Sequence, residues 1–547
     1  MSLWFADEPF TDAERRALEP FFTNLDGPVF ALVNLPEVVK GALFARYSRS
    51  PKSLRRLFLD EFADDVGAGA GSARVGEARA ERLYDRVFVE YGDDSVAQLG
   101  GVHLACEQAS QLLCKQLERG RLAAYLEQST RYMRYDDRPG GRWRATIPPE
   151  IVGSDAGEGL STFLDRAFQA YGRMFEPLRG HLEARHPRDP ADSEAVYRAT
   201  ITAKTCDALR GLLPAATRSN VGIYASGQAY EGLVLRMRAS PLEEARDYAE
   251  LVLAELRKVI PAFLKRVDVE SRGVAWTRYL AETRERTGEV AANYLHDIGV
   301  GYRDEVTLVD YDPDGELKVV AAALYASADL PDDRLHAVAS SMSAAERAAV
   351  LDAYVGHRTN RRHKPGHAFE RTGYRFDVLC DYGAFRDLQR HRPLTVDWQR
   401  LTPAHGYEVP PEIEEAGLRR EFAGVMDASA EAYDAILASG LGRDVAQYAV
   451  SMAYRIRFVM QMNAREAMHV LELRSSPQGH PSYRRVVQRM HELIRDQAGH
   501  RAIAAAMAHV DHSDVELERL DAERRAETRR RTGGRTDADR GRADRVG

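Results

Sequence analysis

Two arginine-rich segments of this 547-residue chain share one internal spacing and are eroded in different places. In the first, Arg119-Gly120-Arg121 is followed after seven residues by Ser129; in the second, Arg390-His391-Arg392 is followed after seven residues by Arg400. The segments start 271 positions apart, and each follows a Gln and a Leu (Gln116-Leu117 and Leu388-Gln389). An internal repeat of that length requires two related halves, which a chain too long for one ordinary core already suggests. The second copy is expected to begin near Val300, after a polar stretch at 283–289, and the first carries an extra Pro/Gly-rich segment at 138–157. The expected domains are residues 1–290 and 300–519. The tail, 520–547, is nearly all Arg, Asp, Ala, Gly and Thr; it cannot bury a core and is expected to be disordered. Its arginines read as solvated charge.

The pattern of apolar residues is mostly helical. Leu164, Phe168, Tyr171, Phe175 and Leu178 recur on one face of an amphipathic helix. Ser240-Pro241-Leu242-Glu243 predicts a helix start with serine at N-cap, proline at N1 and glutamate at N3. Strand signals are fewer. Residues 305–311 and 317–323 flank Asp312-Pro313-Asp314-Gly315, which predicts a hairpin. Residues 367–380 read as a further strand, and 28–33 as its weaker counterpart in the first half, followed by a helical pattern from about Glu37. The fold class is α+β, helix-rich, with two tandem copies and a small, largely antiparallel sheet in each.

Composition excludes several classes. No apolar run approaches the ~18 residues that span a bilayer, so no membrane partner is expected. The N-terminus lacks a secretory pattern, and Cys106, Cys114, Cys206 and Cys380 show no CxxC spacing for zinc or a disulfide framework. A cytoplasmic location and no metal are expected. A net charge of −7 argues against nucleic acid as a partner. Arginine suits an anion clamp, because its planar fork bonds phosphate bidentately and stays charged. Ser129 and Arg131 are placed to grip one anion, Glu127 to accept from a ribose hydroxyl or base N–H, and Tyr132 to pack beneath. The same residues would also suit a helix end capped by Ser129 among solvated charges.

Arg-His-Arg followed by a serine, in the form RHRxxSxNExSxRY, resembles the signature of the flavin-dependent thymidylate synthases. The first copy keeps Glu127, Gln128, Ser129, Arg131 and Tyr132; the second keeps Arg390-His391-Arg392. Downstream, Arg210-Gly211-Leu212-Leu213-Pro214 resembles the family's arginine before Leu-Pro, and in the second copy Gln447 and Val450-Ser451 stand there. Asn463-Ala464-Arg465, His469 and Leu473-Arg474 resemble its Asn-Ala-Arg helix, which the first copy replaces with Ser226-Gly227-Gln228. The resemblance thus covers most of the chain. Its departures are Gly120 in place of histidine, and Trp398, Arg400 and Pro403 in the nucleotide half of the second motif.

The resemblance implies a site shared between copies. It assigns Glu127, Gln128, Ser129, Arg131, Arg210 and Arg474 to dUMP, with Ser129, Arg131 and His391 at the reacting centre. It assigns Arg390, His391, Arg392, Asn463, Arg465 and His469 to FAD, with Arg119 and Arg121 as the first copy's counterparts and His367 as a further flavin- or folate-facing group. The implied reaction carries a methylene from methylenetetrahydrofolate to C5 of dUMP, with reduction by FADH2 recharged from NADPH. Family sites lie at subunit contacts, so a homo-oligomer, a dimer of fused pseudo-dimers, is expected. The ordinary thymidylate synthases use a cysteine beside a proline; none of these four cysteines follows one, and they read as structural, Cys106 and Cys114 on a helical apolar face. Two alternatives stay open: C5 modification of another pyrimidine nucleotide, and an inactive nucleotide-binding paralogue.

Overall fold

The computed structural model describes residues 8–26, 30–37, 39–40, 43–44, 52–61, 98, 100–299, 301 and 303–543. Two compact units divide the chain, and they are not the two sequence copies. The first takes Met1–Glu107, Gln116–Glu127 and Asn220–Ile298; the second takes Gln108–Lys115, Gln128–Ser219 and Gly299–Gly547. A large part of the first copy therefore folds in one unit with the whole second copy, where the expected boundary near 290–300 kept them apart.

The first unit is built on strands β1 (Gly101–Ser110), β2 (Ala123–Glu127) and β3 (Arg218–Ser226), in the order β1-β3-β2. β2 runs antiparallel to β3, pairing Ala123 with Ala225 and Glu127 with Val221. Ser226 ends β3 and caps helix Gly227–Arg238 by accepting from the Ala229 N–H. Gly227 is required there, because a Cβ would meet Phe263 at 2.8 Å. Helices Glu243–Leu256 and Ala275–Leu295 follow. The second of these runs through the polar stretch at 283–289.

The second unit holds β4 (Val306–Tyr311), β5 (Gly373–Asp381), β6 (Thr395–Trp398) and β7 (Arg455–Asn463), antiparallel in the order β4-β5-β7-β6. The last three repeat the order of the first unit's sheet, as a duplication demands. Along β7, Ile456, Phe458, Met460 and Met462 are buried, so a period-2 pattern fixes the register. Each such side chain contributes on the order of 1.5–3 kcal/mol. Asn463 then caps helix Ala464–Arg474, as Ser226 does in the other copy.

The copies also meet inside this unit. Arg210–Leu212 and Gln447–Ala449 are matching 3-10 turns, and the segments after them lie antiparallel through a Pro214–Ser451 bridge. Ala215 N–H donates to Val450 (2.8 Å) and Met452 N–H to Leu213 (2.9 Å). Helices Asp155–Arg185 and Arg419–Ala438 pack against each other beside this junction.

Several local expectations are corrected. Residues 317–323 are helix, Gly315–Tyr325, not the return strand of a hairpin. The turn leads into an alanine-rich run with high helix propensity, and Gly315 fits because a Cβ would strike Thr372 and His500 within 2.5 Å. Of residues 367–380, the first five form a 3-10 turn, His367–Arg371, and the strand begins at Gly373. The helix after Ser240 starts later, at Glu243 with Leu242 at N-cap, while the Ser240 hydroxyl accepts from the Leu242 N–H (3.3 Å). Cys106 lies on β1 rather than on a helix; all four cysteines are buried. The chain expected to be disordered from 520 forms helix Leu520–Ala543, anchored where the Arg524 fork holds Asp192 (2.6 and 2.8 Å). The expected strand at 28–33 and the helix after it lie partly outside the described residues; Leu32 makes one bridge with Phe22. Among the described residues no helix is long and apolar enough to cross a membrane.

Candidate functional site

The second unit gathers what the two motif copies had divided. Helix Tyr382–Leu388 leads into Arg390-His391-Arg392, and helix Ala464–Arg474, rooted on β7, presents Arg465, Glu466, His469 and Arg474. Both segments line one cavity of about 430 Å³. Arg390, His391, Arg392, Asn463, Arg465, His469 and Arg474, seven of the residues singled out in the sequence, are all in its wall, joined by Lys364, Glu370 and Glu466.

His391 is the pivot. Arg474 Nε donates to its Nε2 at 2.8 Å, so Nε2 is the unprotonated nitrogen and Nδ1 carries the hydrogen, facing Glu466 at 3.7 Å. Burial lowers the His391 pKa to about 4; the Glu466 carboxylate opposes that shift and the Arg474 charge adds to it. The ring is therefore neutral at pH 7. Burial would raise the Glu466 carboxyl, but the neighbouring His391 and His469 outweigh it and bring it down to about 2. His469 approaches the same carboxylate at 3.2 Å. By distance His391, Glu466 and His469 could surround a cation. The chemistry opposes it: one His391 nitrogen is taken by a guanidinium and the other is protonated, and Lys364, Arg390, Arg392, Arg465 and Arg474 make the wall strongly positive. The cavity suits an anionic ligand.

The first copy's residues expected to hold the nucleotide form a neighbouring cluster of buried ion pairs. The Arg131 fork holds Asp207 bidentately, Nε to Oδ1 at 2.7 Å and Nη2 to Oδ2 at 2.6 Å, and Nη1 donates to the Tyr483 hydroxyl at 3.1 Å. Burial raises the Asp207 carboxyl, and Arg131 overcomes this to lower it. Arg210 stands 3.5 Å from Asp387 and 3.8 Å from Asp381. Asp387 in turn lies 3.7 Å from Arg390 and 3.8 Å from Arg474. Burial works against its charge, but Arg390, Arg474 and Arg210 together hold it well below the usual carboxylate range. Tyr483 lies beneath both Arg131 and Arg474. A continuous network thus joins the first copy's Arg131 and Arg210 to the second copy's Arg390, His391 and Arg474.

Not every expected residue joins it. The Ser129 hydroxyl accepts from the Arg131 N–H (3.2 Å), shaping the turn rather than facing the cavity. Gln128 offers its carbonyl to the Ser219 hydroxyl (3.3 Å). Glu127 is buried at the end of β2 in the first unit, to which Arg119 and Arg121 also belong, both exposed. Tyr132 is exposed and stacks under Arg519 (3.8 Å) instead of packing beneath the clamp. His367 is exposed and pairs with Glu370 (2.8 Å); Glu370, not His367, reaches the cavity wall. At Gly120, where the motif would place histidine, a Cβ would meet the Tyr125 hydroxyl at 2.6 Å. That space has been given to tyrosine.

Sequence reading missed the acids. Asp207, Asp387 and Glu466 each stand three residues before a singled-out Arg210, Arg390 or His469. On a helix that spacing shares a face, so an acid at i−3 was the available signal. A second cavity of about 640 Å³ opens on Asp207, Arg210, Asp381 and His480. There Lys204 is held between Glu412 and Glu518, 2.8 Å from each.

Comparison with known proteins fits this arrangement. The model for the thymidylate synthase complementing protein family, Thy1, matches residues 42–262 and 307–499, one stretch in each copy. The chain is 37% identical over 524 residues to a UPF0159 protein of Chlamydia muridarum, covering 94% of this chain and 98% of that one. A UPF0159 protein of Thermoplasma acidophilum is 29% identical over 517 residues, 88% of this chain and 97% of its own. A flavin-dependent thymidylate synthase of Clostridium tetani is 24% identical over 201 residues, 37% of this chain and 75% of its own. With its motifs carried twice and matched twice, the chain belongs to the thymidylate synthase complementing protein family.

Proposed function

We propose that this protein methylates a pyrimidine nucleotide, dUMP, at C5 with a flavin cofactor, through one site per chain that takes its nucleotide half from the first copy and its flavin half from the second. The observation that carries this reading is the single cavity in which Arg390, His391, Arg392, Asn463, Arg465 and His469 converge, tied through Arg474 and Asp387 to Arg210.

The residues present fit FAD. The guanidiniums of Arg390, Arg392 and Arg465 suit a pyrophosphate, while the neutral His391 ring and the Asn463 side chain suit the polar edge of an isoalloxazine. A reduced flavin held there by these residues would supply the hydride that reduces the methylene donated by methylenetetrahydrofolate, NADPH restoring it. The protein supplies position and charge. Asp207 locks the Arg131 guanidinium in one orientation, so little entropy is lost when that segment meets a ligand. Arg210 and Arg474, drawn to one carboxylate from different copies, would anchor the nucleotide's anionic groups. Arg474 also fixes the His391 tautomer, coupling nucleotide position to the flavin half. Further pairing of the fused chain into a homodimer is part of this proposal, and light scattering would show a mass near twice 61.2 kDa.

The test is tritium release from [5-³H]dUMP by the flavin-loaded protein with NADPH and methylenetetrahydrofolate. Release dependent on all three supports the reading. Flavin binding without release, for dUMP and for other pyrimidine nucleotides alike, would leave a nucleotide-binding paralogue.

A further inference from the structure

Between helix Ala344–Val355 and the 3-10 turn His367–Arg371 runs a basic loop, residues 356–366, reading Gly-His-Arg-Thr-Asn-Arg-Arg-His-Lys-Pro-Gly. It exceeds the ~4–6 residues typical of such connections, and loops of unusual length are most often functional. Three anchors fix it. The Tyr354 hydroxyl accepts from the Ala368 N–H (3.1 Å) and lies where a Cβ on Gly366 would be. The Arg358 fork clasps Glu472 at 2.7 and 2.6 Å in a fully buried pair, and donates to the Ala506 carbonyl (2.8 Å). Arg465 Nε donates to the Pro365 carbonyl (2.9 Å). Glu472 and Arg465 both belong to helix Ala464–Arg474, and Lys364 is itself in the wall of the arginine-lined cavity. The loop is thus fastened to the rim of that cavity.

Held this way, it presents cations that nothing neutralises. Asn360 folds the tip, its side chain accepting from the Arg362 N–H (2.9 Å) and its carbonyl from the His363 N–H (3.1 Å). Arg362 and Lys364 are exposed and Arg361 half-buried, and among the described residues none of the three side chains has an ion-pair partner. The acids of the rim are already taken: Glu472 by Arg358, and Glu370 by Arg465 (3.1 Å) and His367 (2.8 Å). Asp352, on the preceding helix, pairs with none of the three. Three unpaired cations within four residues of a fixed loop attract a compact polyanion, and two arginine forks suit a phosphate.

We propose that Arg361, Arg362 and Lys364 dock the 2′-phosphate of NADPH, so that this rim loop selects NADPH over NADH as the reductant. The inference rests on the proposed flavin role of the cavity. A dinucleotide that brings its nicotinamide to a flavin in the cavity leaves its adenosine end at the mouth, where the loop stands. NADPH and NADH differ only in that phosphate, which carries about −1.5 to −2 at pH 7. Discrimination between them is therefore a matter of charge at one point, which three neighbouring cations supply. The carboxylates of a folate tail, single charges spaced along a chain, match so compact a cluster less well.

The test titrates the FAD-soaked full chain calorimetrically with adenosine 2′,5′-bisphosphate and adenosine 5′-monophosphate, then with NADP+ and NAD+. Wild type is compared with the double variant Arg361→Gln, Arg362→Gln, which leaves the Arg358–Glu472 anchor intact. Wild type is expected to prefer the 2′-phosphorylated member of each pair by about tenfold or more, less so as salt rises. The variant is expected to bind both members alike. A wild type without that preference, or a variant that keeps it, would overturn the proposal. So would a variant that keeps it and instead loses affinity for pentaglutamyl over monoglutamyl tetrahydrofolate, which would give the rim to the folate tail. Because adenosine 2′,5′-bisphosphate carries no nicotinamide, the two readings fail separately. A 2′-phosphate preference in a protein that retains no flavin contradicts the flavin site and leaves the loop's role standing. Bound flavin that NADPH and NADH reduce at equal rates contradicts only the role of the loop.

Discussion

In the first copy Arg131 clasps Asp207 in a buried pair, the side chains 11% and 8% exposed, with Arg210 three residues beyond the aspartate. In the second copy Arg400, at the position of Ser129, holds Asp444, the counterpart of Asp207, but the pair is 50% and 32% exposed, and Gln447 stands where Arg210 would. That glutamine is used locally: its Oε1 accepts from the Leu401 N–H (3.0 Å) and its Nε2 donates to the Asp444 carbonyl (3.1 Å). The first pair opens toward an arginine ring; the second is stitched into its own loop. The halves proposed to hold flavin show the reverse, since Asn463, Arg465, Glu466 and His469 correspond to Ser226, Gln228, Ala229 and Gly232 on the matching helix. A duplication that needs only one site can let each copy lose the half that the other supplies.

The sharpest way to break this comparison is to truncate both arginines. Arg131→Ala leaves Asp207 buried and unpaired and is expected to cost about 3–5 kcal/mol in urea unfolding. It should also weaken dUMP binding while flavin stays bound. Equal, small losses at both positions would show that the two pairs do the same work.

Acid should separate the halves next. The His391 pKa of about 4 lies below the ~6.5 of an unfolded histidine, so the unfolded chain binds the extra proton between those values. Stability from this group is complete above pH 6.5 and falls as pH drops toward 4, by roughly 3 kcal/mol. Glu466, lowered to about 2, loses its contribution below about pH 4.5. Unfolding measured across this range should give a slope that flattens in His391→Gln; an unchanged slope would contradict the neutral, buried ring.

A smaller effect concerns the cofactor itself. His391→Ala should lower flavin retention by about tenfold, roughly 1.4 kcal/mol, read as flavin fluorescence released on desalting, and full retention would remove the ring from the cofactor site. The smallest effect belongs to the second copy. Arg400→Ala, at an exposed pair, should cost no more than about 1 kcal/mol and leave dUMP affinity unchanged.

Much of the site was legible because its residues are chemically uncommon and arrive in order. Arg390-His391-Arg392, Asn463, Arg465 and His469 were named from the chain, and the folded protein brings them to one wall. What the sequence did not reveal was satisfaction. Nothing in Ser129-Thr130-Arg131 says that the guanidinium is already claimed by an aspartate 76 positions away, because a buried charge finds its partner through tertiary packing. The strand expected at 317–323 failed for a related reason: its apolar, alanine-rich run satisfies either period, and contacts around Gly315 select the helix. Division into two compact units was equally hidden, since the backbone bonds between Leu213 and Met452 and between Ala215 and Val450 come from segments that differ in sequence.

The central claim is one composite flavin site per chain, and the flavin content of the purified, FAD-soaked and desalted protein tests it most directly. The account predicts about one FAD per chain, lost in His391→Ala. Two per chain would mean that the first copy still binds flavin despite Gly120 and Ser226, and none would reduce the arginine-lined cavity to a structural feature of an inactive relative.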